Sequence, residues 1–197
     1  MNGIWDRNGN FSISPQQTEW QKQLLDQHEI YDDPNVWCEG YNVMRHAYST
    51  NTAVKIEEFE GGIRLYYEGN ASIREIPLDG ETLSTNTRII GESIASRDRS
   101  GAIVIQTRGF PDKLAHGTSI ITSDELLLTE RYELAEDGES IDVLLIATDP
   151  NAYGSPRVSS HTYTRTPNPD YFFPSECIIY EDEQFFSDEI ESERRDG

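Results

Sequence analysis

Residues 53–70 read Ala53-Val-Lys-Ile-Glu-Glu-Phe-Glu-Gly-Gly-Ile-Arg-Leu-Tyr-Tyr-Glu-Gly-Asn70, and this stretch decides the fold class. Val54 and Ile56 alternate with Lys55 and Glu57; Ile63, Leu65 and Tyr67 then alternate with Arg64, Tyr66 and Glu68. A period of two is the mark of a strand with one buried face. Gly61-Gly62 between the runs supplies the positive-φ positions of a tight hairpin. The same punctuation returns at Gly69-Asn70, Asp79-Gly80, Ser100-Gly101 and Asp137-Gly138.

Working outward, strands are expected near 53–59, 62–68, 71–78, 88–97, 101–108, 119–123, 125–134, 140–149, 157–165 and 175–181. The number is eight or ten, because 119–123 can join its neighbour. Consecutive hairpins make an antiparallel meander, and closure removes a meander's exposed edges most completely. The fold class is therefore mostly β: a meander closed or nearly closed into a barrel of 8–10 strands with one N-terminal helix. That helix is placed at about 15–28, with Ser14 at the N-cap, Pro15 at the first helical position and Trp20 and Leu24 on one face. Residues 1–13 read as an extended lead-in around Trp5, and Tyr31 to Tyr48 as irregular.

A chain of 197 residues is most simply one domain, here 1–181, followed by an acidic tail, 182–197. Ten Tyr, seven Phe and three Trp provide the makings of a core. The 36 acidic and 16 basic residues give a net charge of −20, which repels phosphate backbones and argues against nucleic-acid binding. Only three cations are Lys; such a surface suits a salty medium or simply solubility. No apolar run approaches the ~18 residues of a membrane span. Met1 is followed by Asn-Gly-Ile-Trp without a signal-like segment, so the chain is either cytosolic or lacks a removed leader. Cys38 and Cys177 are too few for a disulfide scaffold; they are either two separate buried thiols or one long-range disulfide.

Several chemistries are tested and rejected. Gly91-Glu92-Ser93-Ile94-Ala95 resembles a nucleophile elbow, but it lies in an alternating β segment without the required strand–turn–helix context. Asp6-Arg7-Asn8-Gly9-Asn10 starts like a calcium loop, yet Phe11 stands where its Gly is required and Gln17 where its Glu is required. His28, His46, His116 and His161 show no metal-ligand spacing. No phosphate-cradling glycine loop is present. No cofactor or metal is implied.

What remains is polar residues on strands. In 125–134 one face reads Leu126, Leu128, Glu130, Tyr132, Leu134; the other reads Leu127, Thr129, Arg131, Glu133. A carboxylate among leucines must find partners or take up a proton. Arg74 is the nearest candidate partner for Glu130, with Glu92 or Asp149 for Arg131. Strand 157–165 carries His161 and Tyr163 beside serines and threonines. The candidate ligand-binding residues are Tyr67, Arg74, Arg108, Glu130, Arg131, Tyr132, His161 and Tyr163. They suit an amphipathic small molecule held in the barrel lumen by a carrier, sensor or sequestering protein. The alternative is cofactor-free acid–base catalysis (an isomerase, cyclase or lyase) with Glu92, Glu130, His161 and Tyr163 as proton carriers. The sequence does not choose an oligomeric state.

Spaced motifs over residues 3 to about 180 together resemble a family of uncharacterised, usually exported bacterial proteins with a lipocalin-like barrel. They are Gly3-Ile4-Trp5-Asp6-Arg7; Asp33-Pro34 with Cys38, Gly40 and Arg45; Leu65-Tyr66-Tyr67-Glu68 with Arg74; Thr129-Glu130-Arg131-Tyr132; and Asp149-Pro150-Asn151-Ala152-Tyr153 with Pro156 and Cys177. The chain departs from the family at Gly91-Glu92-Ser93, where a histidine is common in place of Glu92, and at Arg97-Asp98-Arg99-Ser100-Gly101. The resemblance implies the barrel, a periplasmic or secreted location, and Cys38 and Cys177 close enough to bridge. It brings no established activity.

Overall fold

The computed structural model describes residues 1–39, 43–48, 53–68, 72–79, 88–117, 119–168, 170 and 172–174. Its first hairpin is the deciding stretch: β2 (Val54–Phe59) and β3 (Gly62–Tyr67) pair antiparallel, with Phe59 opposite Gly62. Gly61 takes φ +82°, and a Cβ on Gly62 would stand 2.4 Å from the Phe59 ring and 2.9 Å from the Ile76 carbonyl. Glycine is required at both positions, by backbone conformation at one and by space at the other.

The remaining strands are β1 (Gly3–Ile13), β4 (Ile73–Pro77), β5 (Glu92–Arg97), β6 (Ile103–Arg108), β7 (Leu114–Ala115), β8 (Ile121–Thr122), β9 (Leu127–Leu134), β10 (Ser140–Thr148) and β11 (Arg157–Thr166). Nine of the eleven described strands form one sheet in the order β4-β3-β2-β1-β11-β10-β9-β6-β5, with every pairing antiparallel. The terminal strands β4 and β5 approach each other through the Leu78–Ala95 bridge, where Asp79 N donates to Ala95 O at 2.8 Å. The result is the mostly antiparallel, nearly closed barrel that the alternation predicted. β7 and β8 make a separate hairpin rather than joining a neighbour.

The lead-in is a full strand. β1 carries the closure by pairing with β11 along most of its length and with β2 at its start, and its register shifts between Asn8 and Phe11. The helix is shorter than expected: α1 runs Glu19–Leu25, with Thr18 as N-cap accepting from Gln21 N at 3.2 Å. Ser14 does not start it because Gln16 and Gln17 pair with the 153–154 loop, through the Gln17–Tyr153 bridge and Gly154 N to Gln16 O at 3.0 Å. Tertiary pairing overrides the local capping signal. The stretch read as irregular holds two 3-10 turns and a short helix, α2 (Val43–Tyr48), whose Val43, Met44, His46 and Ala47 are buried. The expected strand at 175–181, Cys177 with any pairing to Cys38, and the acidic tail lie outside the described residues.

Alternation is strict where the sheet is deepest. Leu128, Glu130 and Tyr132 of β9, Ile141, Val143 and Leu145 of β10, and Ser159, His161 and Tyr163 of β11 point inward. With Trp5, Ile56, Leu65, Ile103 and Ile105, most of these belong to one continuous apolar cluster through the barrel centre.

Candidate functional site

The interior polar residues gather around one guanidinium. Arg74, the second residue of β4, is 3% exposed and Glu130 is 1% exposed. Nη2 of Arg74 donates to Oε2 of Glu130 at 2.8 Å, and Nη1 donates to Oε1 at 3.2 Å. Nη1 also reaches the Tyr67 hydroxyl at 2.9 Å, while Nη2 reaches Ser93 Oγ at 2.9 Å and Thr107 Oγ1 at 3.1 Å. Tyr132 closes the cluster by donating to Glu130 Oε1 at 3.0 Å. Strands β3, β4, β5, β6 and β9 thus each contribute at least one member.

The electrostatics follow from this enclosure. Burial alone lowers the Arg74 pKa, but the Glu130 carboxylate and the Tyr67 oxygen outweigh it, and the net shift is upward. Arg74 is therefore a permanent cation. Burial pushes the Tyr67 phenol up to about 12, and burial with Glu130 pushes Tyr132 well above its ordinary value. Burial first, then Arg7, depresses His161 to about 3, so its imidazole is neutral near pH 7.

The other expected site residues divide. His161 and Tyr163 are interior and meet edge to face with centroids 4.9 Å apart, on β11 rather than at Arg74. Both His161 ring nitrogens are buried without a hydrogen-bond partner. Arg131 is not in the cluster. It faces outward, donating through Nε to Asp98 at 2.8 Å and through Nη1 to Glu133 at 2.7 Å, because Glu130 takes the inward position and successive strand residues alternate. Its anticipated partner Asp149 instead accepts from Ser123 N at 2.7 Å and Ala152 N at 3.1 Å, holding a turn. Arg108 is exposed at the end of β6, opposite Glu92, and does not reach Arg74. Glu92 sits half-buried, not among Glu130, His161 and Tyr163. The four proton carriers are therefore not brought to one point.

Three residues escaped the sequence reading. Thr107 follows Ile103 and Ile105 on the inward face of β6, so the period of two pointed to it. Arg7 follows Trp5 in the same way and donates to the His46 carbonyl at 3.4 Å and the Ala47 carbonyl at 3.2 Å. His46, stacked 3.9 Å from the Tyr67 ring, lies on the helix that was read as irregular.

Buried apolar residues cluster through the barrel interior. A cleft of about 460 Å³ opens along the seam between β4 and β5. Its lining includes Ile73, Arg74, Pro77, Ile90, Glu92 and Ile94. Ile73 and Ile90 are 53% and 37% exposed, and Arg74 Nε is buried without a partner.

No family model and no curated protein matches the sequence. Among solved structures, zebrafish ileal bile acid-binding protein complexed with cholic acid aligns over 84% of this chain and 98% of its own, at 12% identity and a TM-score of 0.43. An abundant heat soluble (SAHS) protein from Ramazzottius varieornatus aligns over 84% and 94%, at 10% identity and 0.43. A point mutant of the REP1-NXSQ fatty acid transporter aligns over 84% and 97%, at 13% identity and 0.37. The likeness is one of strand layout, and it carries no functional inference. No helix among the described residues is long and apolar enough to cross a membrane.

Proposed function

We propose that this protein binds a small amphipathic molecule in the β4–β5 seam, its polar end at Arg74 and its apolar part along Ile73, Ile90 and Ile94. The observation that carries the reading is the buried, unpartnered Nε–H of a guanidinium in the lining of a cleft that also exposes Ile73 and Ile90. Leaving such a donor unsatisfied costs about 1–3 kcal/mol, and an acceptor on a ligand repairs it. The rest of the guanidinium is held by Glu130, Tyr67, Ser93 and Thr107, so the donor is already ordered before binding.

Charge selects the head group. Glu130 already neutralises Arg74, Glu75 is paired with Arg64 and Arg88 faces Glu92, so the cleft's lining offers no unmatched cation. A neutral acceptor such as a hydroxyl, ketone or ester carbonyl fits better than a carboxylate. Binding is favoured over acid–base catalysis because His161 is held near 3 and the phenols Tyr67 and Tyr132 are raised, leaving these groups unsuited to proton exchange near neutrality. The resemblance to exported barrels adds an oxidising compartment to the proposal. A denatured, unreduced sample should then show no free thiol from Cys38 or Cys177, and two titratable thiols would remove that part.

The test is titration with dodecanol and dodecanoate, read by intrinsic fluorescence, alongside native mass spectrometry of the purified protein. Dodecanol should bind more tightly than dodecanoate, and Ile94→Asp should abolish its binding without unfolding the barrel. Dodecanol affinity unchanged in Ile94→Asp refutes the seam as the site.

A further inference from the structure

We propose a second, separate site, one for a small monocarboxylate, in the cleft between residues 14–17 and the start of β11. This cleft has a volume of about 460 Å³ and is lined by Pro15, Gln17, Lys22, Ile120, Tyr153 and Arg157, among others. In a chain of net charge −20, both charged residues of its lining are cations.

Two residues of this lining carry a buried donor without a partner. Tyr153 is 5% exposed and its hydroxyl makes no hydrogen bond; the Nε of Arg157 is buried and equally unpartnered. Arg157 also has no carboxylate within ion-pairing distance among the described residues. Its guanidinium lies over the Tyr48 ring, 4.5 Å from the centroid. A guanidinium held over a ring still has N–H groups to offer, and a planar carboxylate takes two of them in parallel.

The charge of the ligand follows from what is already neutralised. Lys22 Nζ lies 2.6 Å from Glu19, so its charge is matched within its own helix. Among the described lining residues one unmatched cation remains, and the surrounding negative field disfavours a dianion such as phosphate. Pro15 and Ile120 offer a short hydrocarbon chain its contacts, and the volume falls within the range of small-molecule sites.

The walls are fixed before any ligand arrives. Gly154 N donates to Gln16 O at 3.0 Å and Thr18 N donates to Ala152 O at 3.1 Å, tying the 14–18 strap to the 151–154 loop. The buried Gln21 Nε2 donates to Ile121 O at 2.7 Å and pins α1 to β8. A pre-ordered site loses little to immobilisation on binding.

The experiment is an amide chemical-shift titration with hexanoate, hexanol and inorganic phosphate on the full chain. Hexanoate should bind with Kd on the order of 1 mM, the strength of one charge-assisted contact with modest apolar burial. Shifts should centre on Gln17, Tyr153 and Arg157, and neither hexanol nor phosphate should reproduce them. Arg157→Gln should weaken hexanoate by more than about tenfold, and Tyr153→Phe by about tenfold. Tyr153→Phe removes a hydroxyl that makes no bond, so it folds and decides the matter if Arg157→Gln does not. Ile94→Asp, which disables the seam, should leave hexanoate binding unchanged, so the two sites fail separately. Undiminished hexanoate affinity in Tyr153→Phe overturns the proposal, as does preference for phosphate, absence of shifts, or shifts centred on the β4–β5 seam.

Discussion

Replacing Glu130 by Gln is the sharpest single perturbation of this barrel. The change is nearly isosteric, so no cavity opens and the effect is electrostatic. Oε2 of Glu130 accepts from Arg74 Nη2 at 2.8 Å, and Oε1 accepts from Arg74 Nη1 at 3.2 Å and Tyr132 at 3.0 Å. In the amide, one oxygen can still accept, but an NH₂ group now faces an N–H donor. Arg74 remains a buried cation with no carboxylate, its side chain 2% exposed. Removing one member of such a pair typically costs about 3–5 kcal/mol. For a chain of this length each kcal/mol moves Tm by about 2–4 °C, so Glu130→Gln should lower it by about 6–20 °C. Calorimetry at pH 7 with urea unfolding as a second measure reads this directly. The double variant Arg74→Met, Glu130→Leu removes both charges and should regain most of the loss, since burying neither ion avoids both desolvation terms. A loss below about 1 kcal/mol in Glu130→Gln, or no recovery in the double variant, refutes the reasoning.

Other perturbations separate buried from exposed roles. Arg131→Gln removes outward ion pairs to Asp98 and Glu133 and should change stability by at most about 1 kcal/mol in the same urea assay. His46, His116 and His161 are all depressed to about 3, each by burial first. Their folded pKa lies below the unfolded value of 6.5, so the stability they contribute is complete above pH 6.5 and is lost as pH falls toward 3. The slope is at most about 1.4 kcal/mol per pH unit per histidine, and urea midpoints at pH 7, 6 and 5 should fall steadily; a flat profile contradicts it. Gly91→Ala should destabilise by more than about 1 kcal/mol, because φ is +70° there and a Cβ would meet Phe110 and Thr107 side-chain carbons at 2.8 Å; an unchanged urea midpoint would show the turn relaxing freely.

The strands were legible because alternation is a one-dimensional record of a two-sided surface. Leu128, Glu130 and Tyr132 face inward as their spacing requires, and the Arg74–Glu130 pairing follows once one charge must point into a closed barrel. What failed to show were features decided across the fold. Ser14-Pro15-Gln16-Gln17 carries a sound helix start, but the backbone there is engaged by the 152–154 loop, distant in sequence. α2 is only six residues long and is held by burial of Val43 and Met44, not by propensity. Arg108 looked like a lumen residue because strand phase fixes its face only relative to its neighbours; Ile105 and Thr107 take the inner face, which puts Arg108 outside. The location of open space was least legible, since periodicity assigns side chains to faces and not to the volumes they fill.

Closure and the proposed binding are one problem in this barrel. Every other junction between ladder neighbours is a run of backbone hydrogen bonds, whereas among the described residues β4 and β5 meet through a single bridge at Leu78 and Ala95. Beside that bridge the seam is spanned by a side chain, with Arg74 of β4 reaching Ser93 of β5 at 2.9 Å. A buried guanidinium in that role requires a carboxylate, supplied by β9, and further acceptors, supplied by β3 and β6. The inward polar positions of three other strands are thereby tied to the one junction that lacks a run of pairs among the described residues. The arrangement also manages the two free edges: Pro77 ends β4 without a backbone donor, and Arg88 and Glu92 place charge where another strand would add. A fully paired seam would need neither the Arg74–Glu130 pair nor the cleft. The polar cluster and the exposed isoleucines beside it are therefore consequences of the same opening, and an acceptor bound at Arg74 Nε would strengthen the barrel where its ladder is thinnest.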